Sequence, residues 1–173
     1  NLTQLFQGLE HVSAREVVGV AYRNMYNGIK EKDILQALLM ASRANVEVEP
    51  NYSKATSRLL LTSLYQEASE VLGIQSRSII KDPGNEKIDY ADYFNKFLKY
   101  GVDADRLDKR LLDFDLDQLA KAIKHERDYL FSYLGLQTLY DRYFIHSESM
   151  RYELPQVFFM RVVMGLCLNE DKT

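Results

Sequence analysis

The segment that most limits how this chain can fold is Pro155–Leu168, fourteen residues that are apolar except for Gln156 and Arg161. Its hydrophobic residues do not keep to one stripe, and a helix apolar on most sides has to be enclosed by other elements. It falls short of the roughly 20 residues a helix needs to cross a bilayer, and Arg161 interrupts it. Pro155 suits a first helical position, where its missing N–H would be unpaired in any case. A single arginine in such a helix is expected to be paired or to snorkel to the surface.

The chain has the means to enclose that helix. It has 173 residues, 46% of them apolar, enough for one domain with a sizeable core. A net charge of -3 argues against a nucleic-acid partner, which calls for clustered Lys and Arg. The N-terminus carries no basic region followed by an apolar run, so no secretory signal is read there. Cys167 is the single cysteine, which excludes an intrachain disulfide and makes a reducing cytoplasm the expected compartment. Asn1 stands first without a methionine, and the last residues directly follow the apolar helix. A fragment of a longer polypeptide is expected.

Helical signals fill the rest. Leu2, Leu5, Phe6 and Leu9 have helical spacing and read as the tail of a helix. Ser13-Ala14-Arg15-Glu16 fits a capping box, opening a helix to about Tyr26 that stops at Asn27-Gly28. The next helix turns Ile34, Leu35, Leu38, Leu39 and Ser42 to one face. Glu47-Val48-Glu49-Pro50-Asn51 is a joint, with Asn51 placed to cap a long helix from Tyr52 to Leu72. That helix buries Leu59, Leu60, Leu64, Ala68, Val71 and Leu72 and stops at Gly73. Ile74–Lys87 reads as a loop around Asp82-Pro83-Gly84-Asn85. A helix over Tyr90–Tyr100 follows, ended by Gly101, then short helices at Ala104–Leu112 and Leu116–His125. The fold class is all-α, a multi-helix orthogonal bundle, with one short β-hairpin allowed near 143–153.

Two sets of residues carry a family resemblance. Arg127-Asp128, Phe131-Ser132-Tyr133, Gly135, Thr138-Leu139, Tyr143, Glu153, Pro155-Gln156 and Arg161 stand in order after Pro50-Asn51-Tyr52 and Ala55, Arg58 and Leu59. Together they resemble the helical N-terminal domain of the class I ribonucleotide reductase large subunit, over roughly Pro50 to Glu170. Upstream, Met25-Tyr26-Asn27-Gly28-Ile29-Lys30 and Asp33-Ile34 resemble the distal half of an ATP-cone. The division this implies is a cone-like segment over 1–48, lacking the N-terminal hairpin of a cone, and the all-α domain over 49–173. Glu31 and Leu35 depart from nucleotide-binding cones, and a carboxylate facing a triphosphate is repulsive. No effector binding is expected there.

Other candidate sites reduce to structure. Asp113, Asp115 and Asp117 resemble the start of a calcium loop, but Gln118 and Lys124 occupy the positions that need Gly and Glu. Helix capping is the better reading. His125-Glu126-Arg127-Asp128 has no second His at helical spacing, and His11 and His146 are scattered, so no metal site is expected. The Arg127-Asp128 element is read as a framework piece, with a local ion pair fixing a helix start. Tyr93, Tyr129, Tyr133, Tyr140 and Tyr143 are read as core residues with hydroxyls at the edge. Cys167 is read as a small buried hydrophobe. The resembled enzymes reduce ribonucleotides with a thiyl radical and two further cysteines, which one cysteine cannot supply.

The expectation is therefore a non-catalytic scaffold or regulatory portion with no catalytic, cofactor-binding or metal-ligating residue of its own. The resemblance implies as partners a catalytic barrel on the same polypeptide, a second large subunit, a small subunit with a metal-radical cofactor, and ATP and deoxynucleotide effectors. The competing readings are a stand-alone helical interaction module, using the apolar surface of Val157–Met160 and Val162–Leu168, and a nucleotide-sensing regulator.

Overall fold

Leu59, Leu60 and Leu61 are consecutive, and all three are buried. Successive residues of a helix point about 100° apart, so α4 (Tyr52–Val71) is enclosed on most of its circumference rather than along one face. The computed structural model describes residues 1–74 and 90–170, apart from the Glu31 side chain. The loop expected over 74–87 lies outside the described residues from 75 onward.

On one flank of α4 lie α1 (Leu2–Leu5), α2 (Ala14–Tyr22) and α3 (Glu31–Arg43), with α3 packed against both α2 and α4. Ser13 caps α2 by accepting the Glu16 N–H at 3.2 Å, as the capping box requires. The return bond of the box takes a different route. Ser13 N–H donates to the Tyr52 hydroxyl, which donates to Glu16 Oε2, so α4 completes the cap of α2. α2 ends at Tyr22, four residues earlier than expected. Bonds from Asn24 N–H to Ala21 and from Met25 N–H to Tyr22 tighten the exit into turns. Gly28, at φ +83°, serves the following turn instead.

Asn51 does not cap α4. Its side chain donates to the Glu10 carbonyl at 3.1 Å, so it fastens the N-terminal segment. Between α3 and α4, Thr56 donates to the Tyr52 carbonyl and accepts from Ser42 at 2.8 Å, a satisfied polar pair inside the apolar contact. α4 stops where expected. Gly73 takes φ +62°, and Ile74 N–H reaches the Ser69 carbonyl in a Schellman arrangement.

On the other flank lie α5 (Tyr90–Asp103), α6 (Leu116–Ala122), α7 (Tyr133–Arg142) and α8 (Pro155–Leu166). Gly101 is not the stop of α5 but lies within it. A Cβ there would come within 2.5 Å of Leu107 Cδ1, so the glycine admits the chain folding back across the helix end. The helix expected at Ala104–Leu112 is instead a set of turns leading to a 3₁₀ helix, Lys109–Asp113. α6 is likewise shorter than expected, and His125 opens a separate 3₁₀ helix, His125–Leu130. Between α7 and α8, β1 (His146–Ser147) pairs antiparallel with β2 (Met150–Arg151), inside the range expected for a hairpin. One hydrophobic cluster runs from Leu5 through α4 to Met164.

Candidate functional site

Three polar assemblies lie where the 3₁₀ helix His125–Leu130, the hairpin and α8 converge on α4 and α5. The first surrounds Asp128, which is fully buried. Tyr65 of α4 and Tyr90 of α5 both donate to its Oδ2, at 2.6 and 2.5 Å, and Gln156 of α8 donates to Oδ1 at 3.0 Å. The Tyr65 hydroxyl proton is committed to Asp128, so the contact with His125 Nε2 at 3.1 Å places the donor hydrogen on the histidine. Burial raises the Asp128 pKa above the usual carboxylate range, against the opposing pull of its three donors. Burial also pushes the Tyr90 phenol well above its ordinary value, with neighbouring Tyr65 and Asp128 adding to the shift. The local Arg127–Asp128 ion pair is not formed. Arg127 is exposed, and Asp128 is held by groups from three other elements.

The second assembly joins the hairpin to α8. Glu153 is fully buried, accepts the Ile145 N–H at 3.0 Å, and pairs with Arg161 at 2.5 Å from Nε and 3.2 Å from Nη2. Arg161 is therefore the paired kind of intrahelical arginine. Its guanidinium also lies 5.5 Å from the Phe158 ring centroid. Burial raises the Glu153 pKa, opposed first by its hydrogen bond to Arg161.

The third is Tyr93, also fully buried, which donates to the Tyr152 carbonyl and accepts from Leu154 N–H, fixing the turn into α8. Tyr93 is thus core, as expected. Tyr129, Tyr133 and Tyr140 are only partly buried, and Tyr143 is 56% exposed beyond the end of α7. Cys167 is half-buried at the C-cap of α8 rather than enclosed. Asp115 caps α6 by accepting from Gln118 N–H at 3.0 Å. Among the described residues no group of three or more His, Cys, Asp or Glu is placed to hold a metal ion. No described helix is long and apolar enough to cross a membrane. Leu35, on the segment resembling an ATP-cone, is packed in the core.

These carboxylates are sealed from solvent and tie together the elements that donate to them. The surface beside them is bare and apolar. Phe159, Val162, Val163 and Leu166 are exposed at i, i+3, i+4 and i+7 along α8, and Phe131 stacks on Phe159 with centroids 6.3 Å apart. Leu130 and Leu134, 72 and 74% exposed, lie close to Phe131 in sequence. Tyr65, Tyr90 and Gln156 were not visible as a set in the sequence, being 63, 38 and 28 positions from Asp128. The nearest hint was an aspartate placed among aromatic residues.

Fold and site together define an all-α domain with a closed polar interior and, among the described residues, an uncovered apolar face along α8. Comparison with known proteins narrows this. Residues 129–173 match the family described as the ribonucleotide reductase all-alpha domain. The chain is 43% identical over 168 residues to the ribonucleoside-diphosphate reductase subunit alpha of Chlamydia muridarum, covering 95% of this chain and 15% of the relative. It is 45% identical over 168 residues to the subunit of the same name from Chlamydia trachomatis, with the same coverage. Against that of Helicobacter pylori it is 31% identical over 167 residues, covering 95% of this chain and 19% of the relative. The chain belongs to the ribonucleotide reductase large-subunit family and corresponds to the N-terminal region of that subunit. It spans less than a fifth of the length of these relatives.

Proposed function

We propose that the chain is the non-catalytic helical shoulder of a class I ribonucleoside-diphosphate reductase large subunit, which converts ribonucleotides to deoxyribonucleotides in the cytoplasm. The observation that carries this reading is the uncovered stripe Phe159, Val162, Val163 and Leu166 on a helix inside the matched all-alpha segment. Such a stripe calls for a covering surface. In this reading the catalytic barrel of the same polypeptide covers it and carries the cysteines of the thiyl-radical chemistry. The chain's own single cysteine does not serve. A second large subunit, a small subunit with a metal-radical cofactor, and ATP and deoxynucleotide effectors complete the enzyme. Residues 1–48 act as a cone-like structural segment, a role supported by the burial of Leu35 between helices.

Hydrogen exchange on the longer reductase polypeptide and on this chain alone tests the reading. The amides of α8 are expected to exchange more slowly in the longer protein, and only the longer protein should reduce ribonucleotides. Equal exchange of α8 in both would favour a stand-alone interaction module and overturn the scaffold role.

A further inference from the structure

Arg58 of α4 carries a charge that no described carboxylate answers, and it borders a cavity. Its Nη1 donates to the Leu5 carbonyl at 2.6 Å and to the Gln7 carbonyl at 2.9 Å, which uses both hydrogens of that nitrogen. Nε is shielded from solvent and has no partner. Nη2 has no hydrogen bond to any described group, and no carboxylate lies within ion-pair distance among the described residues. Burial lowers the pKa of the group. One face lies 5.6 Å from the Tyr129 ring centroid. The adjoining cavity, about 260 Å³, is lined by Gln4, Leu5, Gln7, Arg58 and Tyr129.

Holding the Leu5 and Gln7 carbonyls occupies one nitrogen of the three. The remaining nitrogen, Nη2, is left to donate to an oxygen of a phosphate or carboxylate, while Nε stays enclosed. Two neutral carboxamides, Gln4 and Gln7, line the same space and can donate to further oxygens. A volume near the lower end of small-molecule pockets, roughly 300 Å³ and up, admits an oxyanion with a small organic body.

We propose that this cavity between α1, α4 and the 3₁₀ helix His125–Leu130 binds a small oxyanion, the phosphate or carboxylate of a small metabolite, with Arg58 as its charge partner. The site is separate from the cone-like helices α2 and α3, and it does not depend on the scaffold reading above.

The test is a titration of the 173-residue chain, labelled with ¹⁵N, with inorganic phosphate, acetate and chloride at matched ionic strength. Phosphate or acetate is expected to move the Arg58 Nε–H and the Gln4 and Gln7 side-chain signals saturably, and chloride is not. The tighter of the two identifies the oxyanion class. Arg58→Gln should abolish the response, but it also removes the bonds to Leu5 and Gln7. Gln7→Glu therefore provides the second arm, because it keeps Arg58 and supplies an internal carboxylate to pair with Nη2. It should weaken anion binding by about tenfold or more, with the melting temperature unchanged or raised. Absence of a saturable shift in the unaltered chain, or undiminished binding by Gln7→Glu, would overturn the proposal.

Discussion

Arg161 reaches from the second turn of α8 to both oxygens of Glu153, a residue outside the helix with no solvent exposure. The pair closes the hairpin onto α8, because the same carboxylate accepts the Ile145 N–H. Removing one partner of a buried ion pair strands the other charge, at a cost of roughly 3–5 kcal/mol. Arg161→Met is expected at the lower end of that range, since the Arg161 side chain keeps 21% of its exposure. The double variant Arg161→Met with Glu153→Gln should recover a large part of the loss. Urea unfolding of the three proteins measures it; a double variant no better than the single would show that the pair is not what α8 depends on.

Asp128 gives the chain a distinctive acid response. Its pKa is raised in the folded protein, so the folded state holds the proton more tightly than the unfolded chain. The contribution of this group to stability therefore falls as pH rises from its unfolded value near 3.8 through its folded value, and returns on acidification. Relative to Asp128→Asn, the unaltered chain should gain stability as pH is lowered from neutral towards 4. Unfolding free energies of both proteins at several pH values check this, and a difference of opposite slope would mean that the tyrosines hold Asp128 ionised.

Gly101→Ala places a methyl against Leu107. Alanine is the better helix former by roughly 0.5–1 kcal/mol, but overpacking commonly costs about 1–3 kcal/mol. Net destabilisation of about 1 kcal/mol is expected, and Leu107→Ala in the Gly101→Ala background should regain part of it by opening the space. Thermal melts of the single and double variants decide the point.

Asp115→Ala separates capping from calcium binding. Loss of the bond to Gln118 N–H should lower stability by about 1 kcal/mol. Millimolar calcium should leave the melting temperature of both proteins unchanged.

What could be read from the sequence was local chemistry with near neighbours. Ser13 before Ala14–Tyr22, Pro155 at the start of α8 and Gly73 after α4 each act through residues a few positions away, and each does what its type and spacing imply. Gly101 was misread because the same residue serves as a helix stop or as a gap for a crossing side chain. Only the position of Leu107 distinguishes them. Asn51 was misread similarly, since its amide found a carbonyl 41 residues away before it found a helix end. The site was hidden for the same reason. Glu153 and Arg161 are separated by the start of a helix, and the Asp128 donors come from α4, α5 and α8. Burial of α4 on most sides was also invisible, because an apolar stripe shows which face must be covered but not how many neighbours arrive.

The enclosure of α4 bears on how the chain can be divided. Pro50 marks a seam in the primary structure, yet Tyr52, Thr56 and Arg58 each fasten residues on the far side of it. Trimming the polypeptide at that seam would leave a long hydrophobic rod half stripped, and the remainder should precipitate rather than persist as a smaller soluble piece. Evolution or an engineer could not remove the stretch between Leu2 and Arg43 without uncovering α4.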